Sequence, residues 1–312
     1  MEKVAYIFPG QGSQYVGMGK ELYEAYPEAK DIFDKANEIL KFDLKKICFE
    51  GPQEELTATS NSQVAILVHS IASLKVLESS PQKFELGFSL GLSLGEYSAL
   101  VAADALSFED GVKLVRKRGQ FMEKAALKNP GKMACIIGME PDELEKLCKG
   151  FGCEIANLNC PGQVVISGST SSVELTANMA KEKGAKRAIM LEVSGAFHSS
   201  LMDPAKDKLE AEINSVTFNK PKCPIISNVT ATPIEDTEEI KKNLITQVNS
   251  KTLFEASIRY VVSQGIKTYL EIGPGAVLKG LIRKIDKALQ VKNLEKPSDF
   301  VEFSATEAPA ES

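Results

Sequence analysis

The chain has 312 residues, 43% of them apolar and 25% charged, with a formal net charge of −5 and both signs interspersed. That length exceeds the roughly 100–200 residues of a typical domain, so one large unit or two unequal ones are expected, around a sizeable core. The acidic balance excludes the basic excess of a nucleic-acid-binding domain, and no apolar run reaches the roughly 18–20 residues that span a bilayer.

Val4-Ala5-Tyr6-Ile7-Phe8 reads as a buried strand halted by Pro9-Gly10. The opening residues lack the long apolar core of a secretory leader. Apolar residues at three- and four-residue spacing then predict helices over 19–26, 28–40 and 62–77. A short strand over 86–90 leads to a helix over 95–103, and Ser107 with Asp110 caps a further helix over 108–124. The middle of the chain alternates differently. Strands over 132–137, 154–158, 164–167 and 188–191 enclose helices over 141–149 and 172–183, giving the order β-α-β-β-α-β of a ferredoxin-like unit. Strands over 224–228 and 267–272 follow, with helices over 202–213, 238–247, 253–263 and 277–285. The expected fold is α/β: an α/β-hydrolase-like domain with a mostly parallel sheet, formed by residues 1–124 and 192–294, carrying an inserted ferredoxin-like subdomain at 125–191. Residues 295–312 mix Pro, Ser, Ala and acids without periodicity and read as a disordered tail.

The six cysteines show no C-x-x-C spacing, and there are only two histidines. A metal site is therefore not expected, and the thiols read as reduced and mostly buried, as in a cytoplasmic protein.

Gly91-Leu92-Ser93-Leu94-Gly95 is a G-x-S-x-G run between strand and helix. In such a nucleophile elbow the serine occupies a tight turn, and small residues on either side relieve crowding. The next N–H, that of Leu94, can then donate to an oxyanion. An overlapping run, Gly87-Phe88-Ser89-Leu90-Gly91, offers Ser89 instead. Its helix would start through two glycines, whereas Ser93 precedes Glu96-Tyr97-Ser98-Ala99, with an acid in the first turn. On pattern alone a Gly/Ser loop without chemistry stands beside both.

A serine nucleophile needs a base. His69 lies in an apolar helix and reads as a packing residue. His198, in Gly195-Ala196-Phe197-His198-Ser199, follows the inserted unit, where a cleft would form. Gly10-Gln11-Gly12-Ser13-Gln14 places Tyr15 where a dinucleotide fingerprint needs its third glycine, so it is either an ordinary turn or a second oxyanion donor.

These segments resemble the malonyl-CoA:acyl carrier protein transacylases of fatty-acid synthesis, and more broadly the acyltransferase domains of polyketide synthases. The resemblance runs from residue 4 to about 285. It is carried by Phe8-Pro9-Gly10-Gln11-Gly12-Ser13-Gln14, Ser93-Leu94-Gly95-Glu96-Tyr97-Ser98, Arg118-Gly119, Asn157-Leu158-Asn159-Cys160-Pro161-Gly162-Gln163, Gly195-Ala196-Phe197-His198-Ser199 and Glu271-Ile272-Gly273-Pro274-Gly275. It implies that Ser93 is acylated, that His198 is base and then acid, and that the N–H groups of Gln11 and Leu94 form the oxyanion hole. Arg118 would clamp the malonyl carboxylate, Asn159 would contact substrate, and the Gln247 backbone carbonyl would orient the histidine. The implied reaction is ping-pong, from malonyl-CoA to acyl carrier protein, with no metal or redox cofactor.

One departure stands out: the family reads Gly-His-Ser-Leu-Gly, and this chain has Leu92 in place of that histidine. Lys181, Lys183, Lys186, Arg187, Arg283 and Lys284 are candidates for meeting an acidic carrier. Two other readings compete. A serine hydrolase on a similar elbow would release free malonate without acceptor, and a non-catalytic scaffold would form no acyl-Ser93.

Overall fold

The structure, a computed structural model, describes residues 2–304. Its ten strands are β1 (Lys3–Phe8), β2 (Glu85–Gly91), β3 (Gly131–Ile137), β4 (Cys153–Cys160), β5 (Gln163–Ser169), β6 (Arg187–Met190), β7 (Ile225–Ile226), β8 (Pro233–Ile234), β9 (Thr268–Ile272) and β10 (Gln290–Leu294). They form a six-stranded sheet in the order β10-β9-β1-β2-β7-β8 and a four-stranded sheet in the order β4-β5-β3-β6. The large sheet is parallel except for the β7–β8 pair, and the small one is antiparallel throughout.

The apolar run of β1 follows from its central place. From Val4 to Phe8 the strand is buried on both faces, as parallel strands between helix layers are. Helix Thr59–Ser79 is buried nearly all round, which its unbroken Val64–Val68 apolar stretch requires. It packs against helix Phe108–Lys128. Gly119 permits the close approach: a Cβ there would sit 2.8 Å from the Thr59 carbonyl oxygen and the Ser60 Cα. The Ser107 cap forms as expected, its hydroxyl accepting the Asp110 N–H at 3.0 Å.

The small sheet is tied to the large unit at its β4 edge. Leu158 N–H donates to Thr252 O and Thr252 N–H to Ala156 O, both at 2.9 Å, while Asn157 Nδ2 donates to Thr252 Oγ1 at 2.6 Å. These bonds pair an edge that would otherwise expose its backbone groups.

The C-terminal segment corrects the expectation of a tail beginning at residue 295. Pro297–Phe300 forms a 3₁₀ turn and Val301–Ser304 a short helix. Phe300 and Phe303 are buried, with ring centroids 5.9 Å from Tyr26 and 5.7 Å from Phe84. Two anchoring rings within ten residues leave no periodic signal to read. Residues 305–312 lie outside the described residues. The strand β10 also escaped the sequence reading, and the strand expected over 224–228 contracts to two residues. All six cysteines are free and buried. No helix among the described residues is long and apolar enough to cross a membrane.

Candidate active site

Strand β2 ends at Gly91 and helix Gly95–Ala102 begins four residues later. Ser93, between them, has φ 52°, in the left-handed region. The two flanking glycines have a steric reason: a Cβ on Gly91 would collide with the Gly95 backbone, and one on Gly95 with the Phe8 carbonyl. Hydrogen bonds hold the turn on three sides. Leu92 N–H donates to Phe8 O at 3.1 Å, Ser93 N–H to Asn228 Oδ1 at 2.7 Å, and Asn228 Nδ2 to Gly91 O at 2.7 Å. The N–H groups of Gly95, Glu96 and Tyr97 bond the carbonyls of Leu92, Ser93 and Leu94, leaving that of Leu94 ahead of the ladder.

His198 also lies in the left-handed region, with φ 58°. Its Nε2 is 2.8 Å from Ser93 Oγ, and its Nδ1 lies 2.9 Å from Gln247 O and 3.1 Å from Ser250 O. Carbonyl oxygens only accept, so Nδ1 carries the proton and Nε2 is left to receive one from the serine. Burial, followed by the nearby Arg118 charge, lowers the imidazole pKa to about 4. The other candidates separate cleanly. Ser89 is buried with its hydroxyl donating to Ala99 O at 3.1 Å. His69 is buried 3.4 Å from Ser73 Oγ, its pKa lowered to about 3 by burial.

Arg118 is only 1% exposed. Its Nη2 donates to Ser93 Oγ and to Gln247 Oε1, both at 3.0 Å, and its Nη1 to Gln63 Oε1 at 2.6 Å. The guanidinium lies 5.4 Å from the Tyr97 ring centroid, and burial lowers its pKa. Among the described residues no carboxylate contacts it directly, so a buried cation reaches Ser93 Oγ with only neutral oxygens as partners.

A cavity of about 210 Å³ opens above these groups. Gln11 and Leu94 line it from the large unit, Asn159 and Gln163 from the small sheet, and Val277 and Leu281 from the last long helix. Gln11 Nε2 donates to Thr59 Oγ1 at 3.3 Å, and the Asn159 Oδ1 is buried without a partner. Leu92 lines the same cavity, half-buried beside the serine. The structure thus brings Ser93, His198, Gln11, Leu94, Arg118 and Asn159 around one space, with Gln247 behind the histidine. All six candidate basic residues are exposed. Lys284 is at the mouth, its Nζ donating to Gln163 Oε1 at 2.8 Å.

Sequence reading missed Gln63, Glu96, Asn228, Ser250 and the side-chain amide of Gln247. Glu96 had been weighed only for its charge at a helix start. In the fold it is buried, accepting from Asn228 N–H at 3.1 Å and Gln247 Nε2 at 2.7 Å. Among the described residues no group of three or more His, Cys, Asp or Glu side chains is placed to hold a metal.

A model of the acyl transferase domain family matches residues 5–296, and the chain belongs to that family. A malonyl CoA-acyl carrier protein transacylase of Bacillus subtilis is 49% identical over 302 residues, spanning 95% of each chain. The solved transacylase of the same description from Coxiella burnetii shares 38% identity over 96% of both chains, with a TM-score of 0.94. A type II PKS acyl-carrier protein in complex with its malonyl-transacylase provides another match, at 35% identity and TM-score 0.92, over 96% of this chain and 98% of that one. Within the family, this chain falls with the malonyl CoA-acyl carrier protein transacylases.

Proposed function

We propose that the protein transfers a malonyl group from malonyl-CoA to the pantetheine thiol of an acyl carrier protein, through a malonyl-Ser93 intermediate, in cytoplasmic fatty-acid synthesis. The observation that carries this reading is the meeting of imidazole and buried guanidinium at one hydroxyl, at 2.8 and 3.0 Å. Ser93 Oγ attacks the thioester carbonyl carbon and yields its proton to His198 Nε2. The N–H groups of Gln11 and Leu94 stabilise the oxyanion. As the tetrahedral intermediate collapses, the carbon–sulfur bond breaks and the imidazolium returns the proton to the departing coenzyme A sulfur. The carrier thiol then repeats the sequence in reverse and frees the serine. The thioester supplies the activation, so the scheme uses no metal or redox cofactor. Incubation with malonyl-CoA should add one malonyl group to the intact mass, and holo carrier protein should remove it. Rapid release of free malonate without carrier would instead mark a hydrolase.

In this scheme Arg118 receives the malonyl carboxylate, with Asn159 as a polar neighbour. Its fork suits a carboxylate, and its present partners are neutral. Arg118→Ala should lower kcat/KM for malonyl-CoA by roughly ten- to a hundredfold, the loss of a charge-assisted pair, while acetyl transfer rises relative to it. An unchanged malonyl-to-acetyl ratio would mean that the carboxylate is read elsewhere.

Leu92 presents carbon to the acyl cavity where the family has an imidazole. Leu92→His should sharpen the malonyl-to-acetyl ratio by roughly tenfold, the worth of one hydrogen bond to a charged group. The measurement is kcat/KM for the first half-reaction with each thioester. No change in the ratio would make Leu92 a packing choice alone.

A further inference from the structure

Glu96 stands three residues beyond the nucleophile, in the first turn of helix Gly95–Ala102, with 1% of its surface exposed. Its Oε2 accepts from the side-chain nitrogen of Gln247 at 2.7 Å and from the Asn228 backbone N–H at 3.1 Å. The same Gln247 nitrogen donates to the Ser93 carbonyl at 3.0 Å. An amide NH₂ has two protons, and here both are directed, one to Glu96 and one to the nucleophile's own backbone. The other end of the amide is thereby fixed. Gln247 Oε1 must face away from the two acceptors, and there it takes the Arg118 Nη2 proton at 3.0 Å. The same Nη2 reaches Ser93 Oγ at 3.0 Å.

Without an acceptor at position 96 the amide loses its reason to keep this orientation. Turned over, it would set NH₂ against guanidinium, donor against donor, and the arginine would lose a support beside the serine.

We propose that Glu96 is a positioning residue which, through the Gln247 side chain, holds the Arg118 guanidinium at the reacting serine and so sets the preference for acyl groups that end in a carboxylate. The inference rests on the roles given above to Ser93 and Arg118. It assigns Glu96 no contact with substrate. Gln247 has two duties in this arrangement: its backbone carbonyl takes the His198 Nδ1 proton, and its side chain relays Glu96 to the arginine. Base and carboxylate reader are thus set by one residue, and Glu96 governs only the second.

The requirement is for an acceptor of the right reach. Burial raises the Glu96 pKa to about 7, against the lowering effects of the Asn228 and Gln247 hydrogen bonds and the Arg118 charge. The uncharged form therefore already coexists with the folded site near neutrality, and an uncharged isostere should serve.

The test compares acyl-Ser93 formation from malonyl-CoA and from acetyl-CoA in the wild type and in Glu96→Ala, Glu96→Gln and Glu96→Asp, by quenched intact-mass kinetics. A merely structural role would reduce both substrates alike. Glu96→Ala should lower the malonyl-to-acetyl ratio of kcat/KM by about tenfold, with acetyl transfer within about threefold of wild type, and Glu96→Gln should restore the ratio to within about twofold. Glu96→Asp draws the carboxyl back by one methylene and covers the case in which the alanine variant does not fold; it too should lower the ratio. An unchanged ratio in the folded alanine variant, or in the aspartate variant if that one alone folds, overturns the proposal. So does a glutamine variant as impaired as the alanine one. Wild-type protein that forms no malonyl-Ser93 would take down the functional reading as well, whereas a normal adduct with an unchanged ratio takes down this inference alone.

Discussion

Replacing Ser93 by alanine should abolish the malonyl adduct, and replacing Ser89 by alanine should leave it intact. The two serines occupy overlapping G-x-S-x-G runs, and their surroundings in the fold separate them. Ser93 Oγ lies 2.8 Å from an imidazole nitrogen that can accept its proton, at the wall of a cavity. Ser89 lies within β2, wholly buried, its proton given to the Ala99 carbonyl. No other hydroxyl among the described residues shares the His198 Nε2. Intact-mass measurement after malonyl-CoA treatment checks both variants, and an adduct persisting in Ser93→Ala would remove the serine from its assigned role.

His198→Ala should slow acylation by at least about a hundredfold, the usual worth of a positioned general base. The pH profile gives a second reading of the same residue. Because burial and the Arg118 charge lower the imidazole pKa to about 4, it stays neutral across the physiological range. The histidine limb of kcat/KM should therefore fall as pH drops through about 4, not through the ordinary histidine value near 6.5. The two carbonyls on Nδ1 fix the tautomer, so titration changes the charge without first requiring the ring to turn. Near-normal acylation in the alanine variant would assign the proton to another group.

The large sheet was legible because its central strands are short apolar runs stopped by Pro9-Gly10 and by the elbow glycines, local signals that survive without knowledge of the fold. The small sheet was legible for the same reason, through the Pro161-Gly162 turn and two well-patterned helices. Strand β10 was not: Gln-Val-Lys-Asn-Leu at a sheet edge is half-exposed, and only its partner β9 makes it a strand. Ser93 and His198 could be reached as candidates from their local runs, whereas Arg118, in Arg116-Lys117-Arg118, stood out only through the resemblance. Gln63, Asn228 and Ser250 could not be reached. They are polar residues defined by what they meet at the site, and Asn228 lies 135 positions from the serine whose N–H it accepts. Glu96 does lie in the first turn of its helix, as read, but its burial there left no local signal, because an acid at a helix start is ordinarily solvated.

The left-handed backbone at Ser93 and His198 has a consequence for how the molecule can change. For an L-residue that conformation costs roughly 1–2 kcal/mol, and it occurs at both Ser93 and His198, with φ of 52° and 58°. Against a typical net stability of about 5–15 kcal/mol, the reacting centre is a local deficit that the rest of the fold must cover. Asn228 covers part of it by bonding the turn on both sides of Leu92. The residue that would relax position 93 most is glycine, which is also the residue that deletes the hydroxyl. At that one position conformational ease and the proposed catalytic role pull in opposite directions, so selection for stability alone would drift toward losing the proposed nucleophile.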